Sequence, residues 1–191
     1  MVFRAQKEIN KSFYDVFLAN GSHNDNPLSD EFPIECYRLD NLGNCNQHFR
    51  SYILDNWINI DKVKFAFYTE GVEMKSIEFD GKSSTWSSWF NQSAILTSSW
   101  TNIKTDLIIN HFTLPGNTAY GIARRFTIEG SYAGCDTDVT YMFTIDTNWD
   151  VCSGYWNFTI TKFPLFIYAS GNTMVRLSGT LPDLQTFWPY L

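Results

Sequence analysis

Apolar residues recur at every second position along much of the chain, with turn-forming residues between the runs. Val63, Phe65 and Phe67 alternate with Lys64, Ala66 and Tyr68. A period of two sends successive side chains to opposite faces of a strand, so this run predicts a half-buried strand. Glu70-Gly71 breaks it as a hairpin turn would. Val72 and Met74 resume the alternation. Ile77 and Phe79 continue it one position out of phase, which predicts a β-bulge near Lys75 or Ser76. Asp80-Gly81 is a further turn signal. Leu107-Ile108-Ile109 with His111 to Leu114 reads as one buried strand, and Leu165 to Tyr168 as a strand buried on both faces. Ile122, Arg124, Phe126 and Ile128 alternate with Arg125, Thr127 and Glu129. Val139, Tyr141, Phe143 and Ile145 alternate with Thr140, Met142 and Thr144, and Trp156, Phe158 and Ile160 with Asn157, Thr159 and Thr161.

The first nineteen residues read two ways. Ile9, Phe13 and Phe17 make a helical stripe, yet Phe13 to Leu18 is rich in strand formers. The expectation is a loose polar lead-in over residues 1–12, then a strand. No βαβ rhythm, internal repeat or linker interrupts the pattern. It predicts a single all-β domain over 1–191 with little helix: an antiparallel β-sandwich, jelly-roll-like or immunoglobulin-like in topology.

Composition narrows the partners. Aromatics make up 17% of the chain and charged residues 18%, a mix suited to a sandwich and unlike a disordered segment. The net charge of −6, with Arg124-Arg125 the one adjacent basic pair, argues against a nucleic-acid partner. No apolar run reaches the ~18–20 residues of a membrane span. Met1 to Glu8 lacks the apolar segment of a signal peptide, which taken alone means cytoplasm; a mature chain whose leader has been removed would start the same way.

Four cysteines, Cys36, Cys45, Cys135 and Cys152, fall as two local pairs without zinc-ligand spacing. Three disulfide connectivities exist. Cys36–Cys45 with Cys135–Cys152 is favoured because each pair brackets a turn, and disulfides point to a secreted, extracellular chain. The plainer alternative is four buried thiols in a cytosolic protein.

Val63-Lys64-Phe65, Val72-Glu73, Phe79-Asp80-Gly81, Trp89-Phe90, Ser98-Ser99-Trp100-Thr101-Asn102, Arg124-Arg125-Phe126, Tyr132-Ala133-Gly134-Cys135 and Asp138 follow one another in this order. The series resembles a family of predicted secreted domains of marine invertebrates, over roughly residues 50–170. The resemblance implies extracellular placement and a role beside matrix or recognition modules. The family pattern has a Gly-Trp shortly after the aspartate and an acid-flanked Trp after the second cysteine. This chain has Val139-Thr140 and Cys152-Ser153-Gly154 there, so the resemblance carries over no site built on those tryptophans and no catalytic residue.

For catalysis the candidates are thin. His23, His48 and His111 come without a nucleophile elbow, and His111 sits in an apolar strand pattern. Asp80, Asp136 and Asp138 would have to supply a glycosidase pair, but acids beside glycines and cysteines more often serve turns. A small-molecule or glycan-active enzyme is the remoter reading. Sugar binding fits better. Aromatic faces stack on pyranose rings while Asp, Asn and Ser hold the hydroxyls. Trp86 and Trp89 stand among Ser83, Ser84, Thr85, Ser87, Ser88 and Asn91, Trp149 stands in Asp-Thr-Asn-Trp-Asp, and Asp80 lies nearby in sequence. These four are the candidate binding residues, with core tryptophans and turn acids as the plainer alternative. The expected partner is a glycan or an extracellular-matrix protein, the latter making the chain a structural or adhesion module. No cofactor is expected, although the oxygen-rich stretch from Asn20 to Pro27 with Asp30 and Glu31 could hold Ca²⁺. Sequons occur at Asn10, Asn20, Asn91 and Asn157, with Asn20 in the clearest turn.

One structural expectation is sharper. A strand that carries Arg124 inward needs a carboxylate for it, because an unpaired buried charge costs several kcal/mol. Asp136 and Asp138, just past the Gly130–Cys135 turn, are the nearest acids. Arg124 or Arg125 is expected to pair with one of them beside the Cys135–Cys152 bridge, several backbone carbonyls being the other way to satisfy a buried arginine; the plainer alternative is two solvated arginines on an edge strand.

Overall fold

The computed structural model describes residues 1–25, 32–38, 45–118, 122–130, 134–156, 159–177, 184–186 and 188–190. The strands are β1 (Phe3–Arg4), β2 (Phe49–Arg50), β3 (Lys62–Thr69), β4 (Val72–Asp80), β5 (Ile95–Ser98), β6 (His111–Thr113), β7 (Arg124–Glu129), β8 (Val139–Ile145), β9 (Leu165–Ala169), β10 (Val175–Arg176), β11 (Leu184–Thr186) and β12 (Trp188–Tyr190). The fold is all-β and antiparallel, with one short helix, α1 (Phe13–Leu18), and three 3₁₀ turns among the described residues. One sheet runs β2-β1-β12-β3-β4-β5, so the last strand of the chain is laid between β1 and β3. The second runs β11-β9-β8-β7-β6, with β10 pairing the start of β8.

The two sheets meet through aromatic rings. Phe67 stacks on Tyr168 at 4.5 Å, Phe65 lies 6.2 Å from Phe126, and Phe79 meets Phe112 edge-on. The hairpin at Glu70-Gly71 is as the sequence predicts, with both residues at positive φ, the geometry that suits the twist of antiparallel strands. The β4 bulge is also present. Phe67 faces Lys75 and Tyr68 faces Glu73, so Met74 is the extra residue. It leaves Val72 and Met74 exposed and turns Lys75 inward, where its ammonium donates to the Gly171 carbonyl at 2.7 Å.

Several expectations are corrected. Phe13–Leu18 is a helix. Ser12 caps it by accepting from the Asp15 N–H, and the Asp146 carboxylate accepts from the N–H groups of Phe13 and Tyr14. Phe13 and Phe17 then pack on Phe126 at 5.0 and 5.3 Å. The lead-in is anchored: β1 lies between β2 and β12, and Arg4 is buried. Leu107 and Ile108 belong to no strand and are exposed. Trp156 sits in a turn, and the Asn157-Phe158 part of its expected strand lies outside the described residues.

The face assignment of β7 is corrected too. Arg125 faces Thr144 and Ile128 faces Met142, so β7 carries an extra residue, and Phe126 takes a φ of 47°. The bulge sends Phe126 and Ile128 into the core between the sheets and leaves Arg124 on the opposite face, against Phe143 and Trp156. On that face Phe143, Ile145 and Ile167 pack with Cys135, Cys152, Trp156 and Leu177 around the Cys135–Cys152 disulfide, and the second disulfide joins Cys36 to Cys45. The sheet is thus buried on both sides. This is why Thr140, Met142 and Thr144, expected on a polar face, are all buried.

Candidate functional site

Arg124 heads the densest polar cluster. Its guanidinium lies 4.8 Å from the Phe143 ring centre and 4.7 Å from that of Trp156. It donates to Glu129 at 2.6 Å and to Asp138 at 2.8 Å, with Asp150 at 3.8 Å. The predicted Arg124–Asp138 pair is therefore present beside the predicted disulfide. Asp150 also accepts from the N–H groups of Ala123 and Cys152, and the Trp156 N–H donates to the Cys135 carbonyl. Burial pushes the Asp138 carboxyl up while Arg124 pulls it down. All of these side chains are buried, so the cluster holds a corner of the fold and presents nothing to a ligand.

The open site lies elsewhere, along two facing segments. One is Arg50–Lys64, which leaves β2 through the 3₁₀ turn Tyr52–Leu54. The other is the loop Gly81–Phe90 after β4. Gly81 lets them close up: a Cβ there would lie 2.8 Å from Ile60 Cγ2. Trp57 ties the walls together by donating to Ser84 Oγ at 3.0 Å. Three hollows follow this line. A cleft of about 280 Å³ is lined by Phe17, Leu18, Asn20, Arg50, Leu54, Asp55 and Trp86. A small apolar pit of about 100 Å³ shares Leu54 with it and is floored by Trp57, Ile60 and Trp89. A groove of about 440 Å³ shares Trp57 and Ile60 with the pit and adds Asn59, Asp61, Lys82 and Ser83. Trp86 lines the cleft and Trp57 lines both the pit and the groove, and this row of three hollows is the trough.

The loop's own chemistry decides which tryptophan is presented. Thr85 Oγ1 accepts from the Ser88 N–H, and Ser88 Oγ accepts from the Thr85 N–H at 2.8 Å. The indole of Trp89 turns inward onto Phe79 and Phe90, with its N–H donating to the Trp86 carbonyl at 2.8 Å. Trp89 is 1% exposed, so it serves as the loop's anchor and offers no stacking face. Trp86, three residues earlier, is 37% exposed and rests on Phe17 at 5.6 Å. Below it Arg50 donates to Asp55 at 2.5 and 3.0 Å and to the Phe17 and Ser22 carbonyls. The Arg50 hydrogen bonds hold the Asp55 carboxyl below its ordinary range, so it stays ionised at neutral pH.

Asp80 lines none of the three hollows and accepts from the Lys82 N–H at 3.0 Å, a turn-forming role. Trp149 is 56% exposed but lines none of the three hollows. Trp57 was not among the sequence candidates. Its signal is the same as theirs, a tryptophan in a polar, non-alternating stretch, Asp55-Asn56-Trp57-Ile58-Asn59-Ile60-Asp61.

The acid–base candidates are dispersed. His48 is buried, accepts from the Gln6 N–H, donates to the Lys11 carbonyl and is pushed down to about 4 by burial. His111 faces Glu129 across β6–β7, and Glu129 is committed to Arg124. Asp80 ends a strand of one sheet, while Asp138 is buried beside the other. No trio of His, Cys, Asp or Glu suited to a metal occurs among the described residues; Asn26, Pro27, Asp30 and Glu31 of the oxygen-rich stretch lie outside them. Among the described residues no helix is long and apolar enough to cross a membrane. Comparison of the chain with protein-family models, with curated proteins and with solved structures gives no match.

Proposed function

We propose that the chain is a secreted, non-enzymatic recognition module that binds a glycan along the trough between Trp57 and Trp86. The supporting observation is a row of three hollows lined by two part-exposed indoles, with Asp55 beside Trp86 and Asn59, Asp61 and Ser83 beside Trp57. Indoles offer apolar faces to sugar rings, and carboxylates, amides and hydroxyls take their hydroxyl groups. Two disulfides support an oxidising, extracellular setting, as does the resemblance to secreted domains. The test uses oxidised chain made without N-glycans, screened on a glycan array and by calorimetry. Trp57→Ala and Trp86→Ala should each weaken binding by about tenfold, the ~1.4 kcal/mol of one lost aromatic contact. Trp149→Ala should leave it unchanged. A wild-type chain that binds no glycan overturns the reading.

A second reading, a matrix or adhesion module with a protein partner, is favoured by a different surface. Trp149 and Val151, within the loop closed by Cys135–Cys152, and Tyr155, just past it, are all exposed. Loss of matrix-protein binding in Trp149→Ala, with Trp57→Ala unaffected, would select it.

A further inference from the structure

Three of the four sequons fall on described residues, and the fold uses their asparagines differently. Asn10 Oδ1 accepts from the Phe163 N–H, and Ser12 of the same sequon caps α1 and donates to Asp146 at 2.6 Å. Asn91 Oδ1 accepts from both the N–H and the hydroxyl of Ser93 at 2.9 Å. The Asn20 side chain is exposed and makes no hydrogen bond among the described residues. Its sequon, Asn20-Gly21-Ser22, is nonetheless fixed in place. Gly21, at a φ of 77°, donates to Asp55 at 3.1 Å, and the Ser22 carbonyl accepts from Arg50 at 3.2 Å. The turn is thus tethered to the ion pair that floors the cleft, and Asn20 and Trp86 line that same cleft.

We propose that Asn20 is an N-glycosylation site whose first N-acetylglucosamine lies against the Trp86 indole and closes that end of the trough. The modification is a glycosyl transfer. Asn20 Nδ2 bonds to C1 of the sugar, and the bond from C1 to a phosphate oxygen of a lipid-linked oligosaccharide diphosphate breaks. The lipid diphosphate leaves with the bonding pair, and one amide proton is released. The cleft, at about 280 Å³, has the room of a small ligand pocket (~300 Å³), which suits a single ring. An outside ligand then meets the trough from the Trp57 end, so occupancy at Asn20 sets how long a glycan the trough accepts. The inference rests on the secretory part of the proposed function and not on any outside ligand.

The test is the full chain expressed behind a supplied leader in a eukaryotic host. Enzymatic deglycosylation in heavy-oxygen water should convert Asn20 to labelled aspartate at high occupancy. Trimming to a single N-acetylglucosamine should keep a melting temperature about 2 °C above that of the fully deglycosylated chain. Trp86→Ala should abolish that difference, and Trp86→Phe should keep part of it. An unmodified Asn20 in folded, disulfide-bonded chain overturns the proposal, as does a difference that survives Trp86→Ala. Neither readout needs an outside glycan, so a blank glycan array would sink the recognition reading and leave this one standing.

Discussion

The corner around Arg124 and the trough below Trp86 are built from the same parts, an arginine, carboxylates and tryptophan, arranged to opposite ends. In the corner the guanidinium is fully buried, flanked by two rings and faced by three carboxylates, of which Asp150 also holds two backbone N–H groups. In the trough Arg50 is satisfied from beneath by Asp55 and two carbonyls, while the Trp86 indole stays at the surface. A polar cluster whose groups are spent on one another inside a protein acts as structure. One whose arginine is paired from behind leaves a carboxylate and an aromatic face for something that arrives from solvent. Richness in charged residues therefore does not locate a site; what matters is which groups remain open once the fold has used its share.

The largest effect should come from breaking the corner. Arg124→Met leaves Glu129, Asp138 and Asp150 buried around an apolar chain, and removing one partner of such a cluster costs about 3–5 kcal/mol. Urea unfolding at neutral pH measures it. In the double mutant with Asp138→Asn the loss should be smaller than the sum of the two single losses, whereas simple additivity would mean that the pair does not interact. Next in size is the bridge above it. Replacing Cys135 and Cys152 with alanine opens a loop whose ends are 17 residues apart, and about 3 kcal/mol should be lost. Glycan binding by the chain that remains folded should survive both changes, because neither group touches the trough.

The corner was legible in the sequence and the trough largely was not, for a physical reason. Arg124, Cys135, Asp138 and Cys152 lie close along the chain, and a charge on an inward strand has few ways to be satisfied. Strands β8 and β9 and the Glu70-Gly71 hairpin were likewise local patterns. Which face of β7 carries Arg124 was misjudged because one bulge at Phe126 reverses the alternation. Helix α1 was misread because its cap includes Asp146, 134 positions away from Ser12. Trp86 and Trp89 look alike in sequence, and the reciprocal hydroxyl bonds between Thr85 and Ser88 shape the loop that turns Trp89 inward. Trp57 was missed because nothing local shows that its segment faces the Gly81–Phe90 loop.

Asp146 connects the two regions, since it directly follows β8, the strand that carries the corner's Phe143, and caps the helix that lines the cleft. Burial pushes its carboxyl up to about 6, against the hydrogen bonds from Ser12, Tyr14 and Phe13; Asp15, also nearby, adds to the rise. The folded chain then binds this proton more tightly than the unfolded one, whose aspartates titrate near 3.9. The stabilisation is complete below about pH 4 and is lost as pH rises through about 6, by about 3 kcal/mol. Asp146→Asn should flatten that part of the stability profile. Asp55, whose carboxyl is held low by Arg50, acts in the opposite sense: its contribution is present above the ordinary aspartate range and is lost on acidification through its folded value. Melting curves from about pH 2 to about pH 7 on the two single mutants separate them, Asp146→Asn changing the profile between about pH 4 and 6 and Asp55→Asn below about pH 4.

The smallest effect on stability should fall on a residue that recognition depends on. Trp86 rests on Phe17 with more than a third of its surface exposed, and its loop is fixed by Thr85, Ser88 and the buried Trp89. Trp86→Ala removes a partly solvated contact and leaves no cavity in the core, so about 0.5–1 kcal/mol should be lost. Its ring is also the face that a sugar would meet, so in chain lacking N-glycans the same change should weaken glycan binding about tenfold. Arg124→Met should show the reverse, a large loss of stability with the affinity of the folded chain unchanged. If instead Trp86→Ala proves as destabilising as the corner mutant, the indole is a structural prop, and the distinction between a closed cluster and an open one fails at this position.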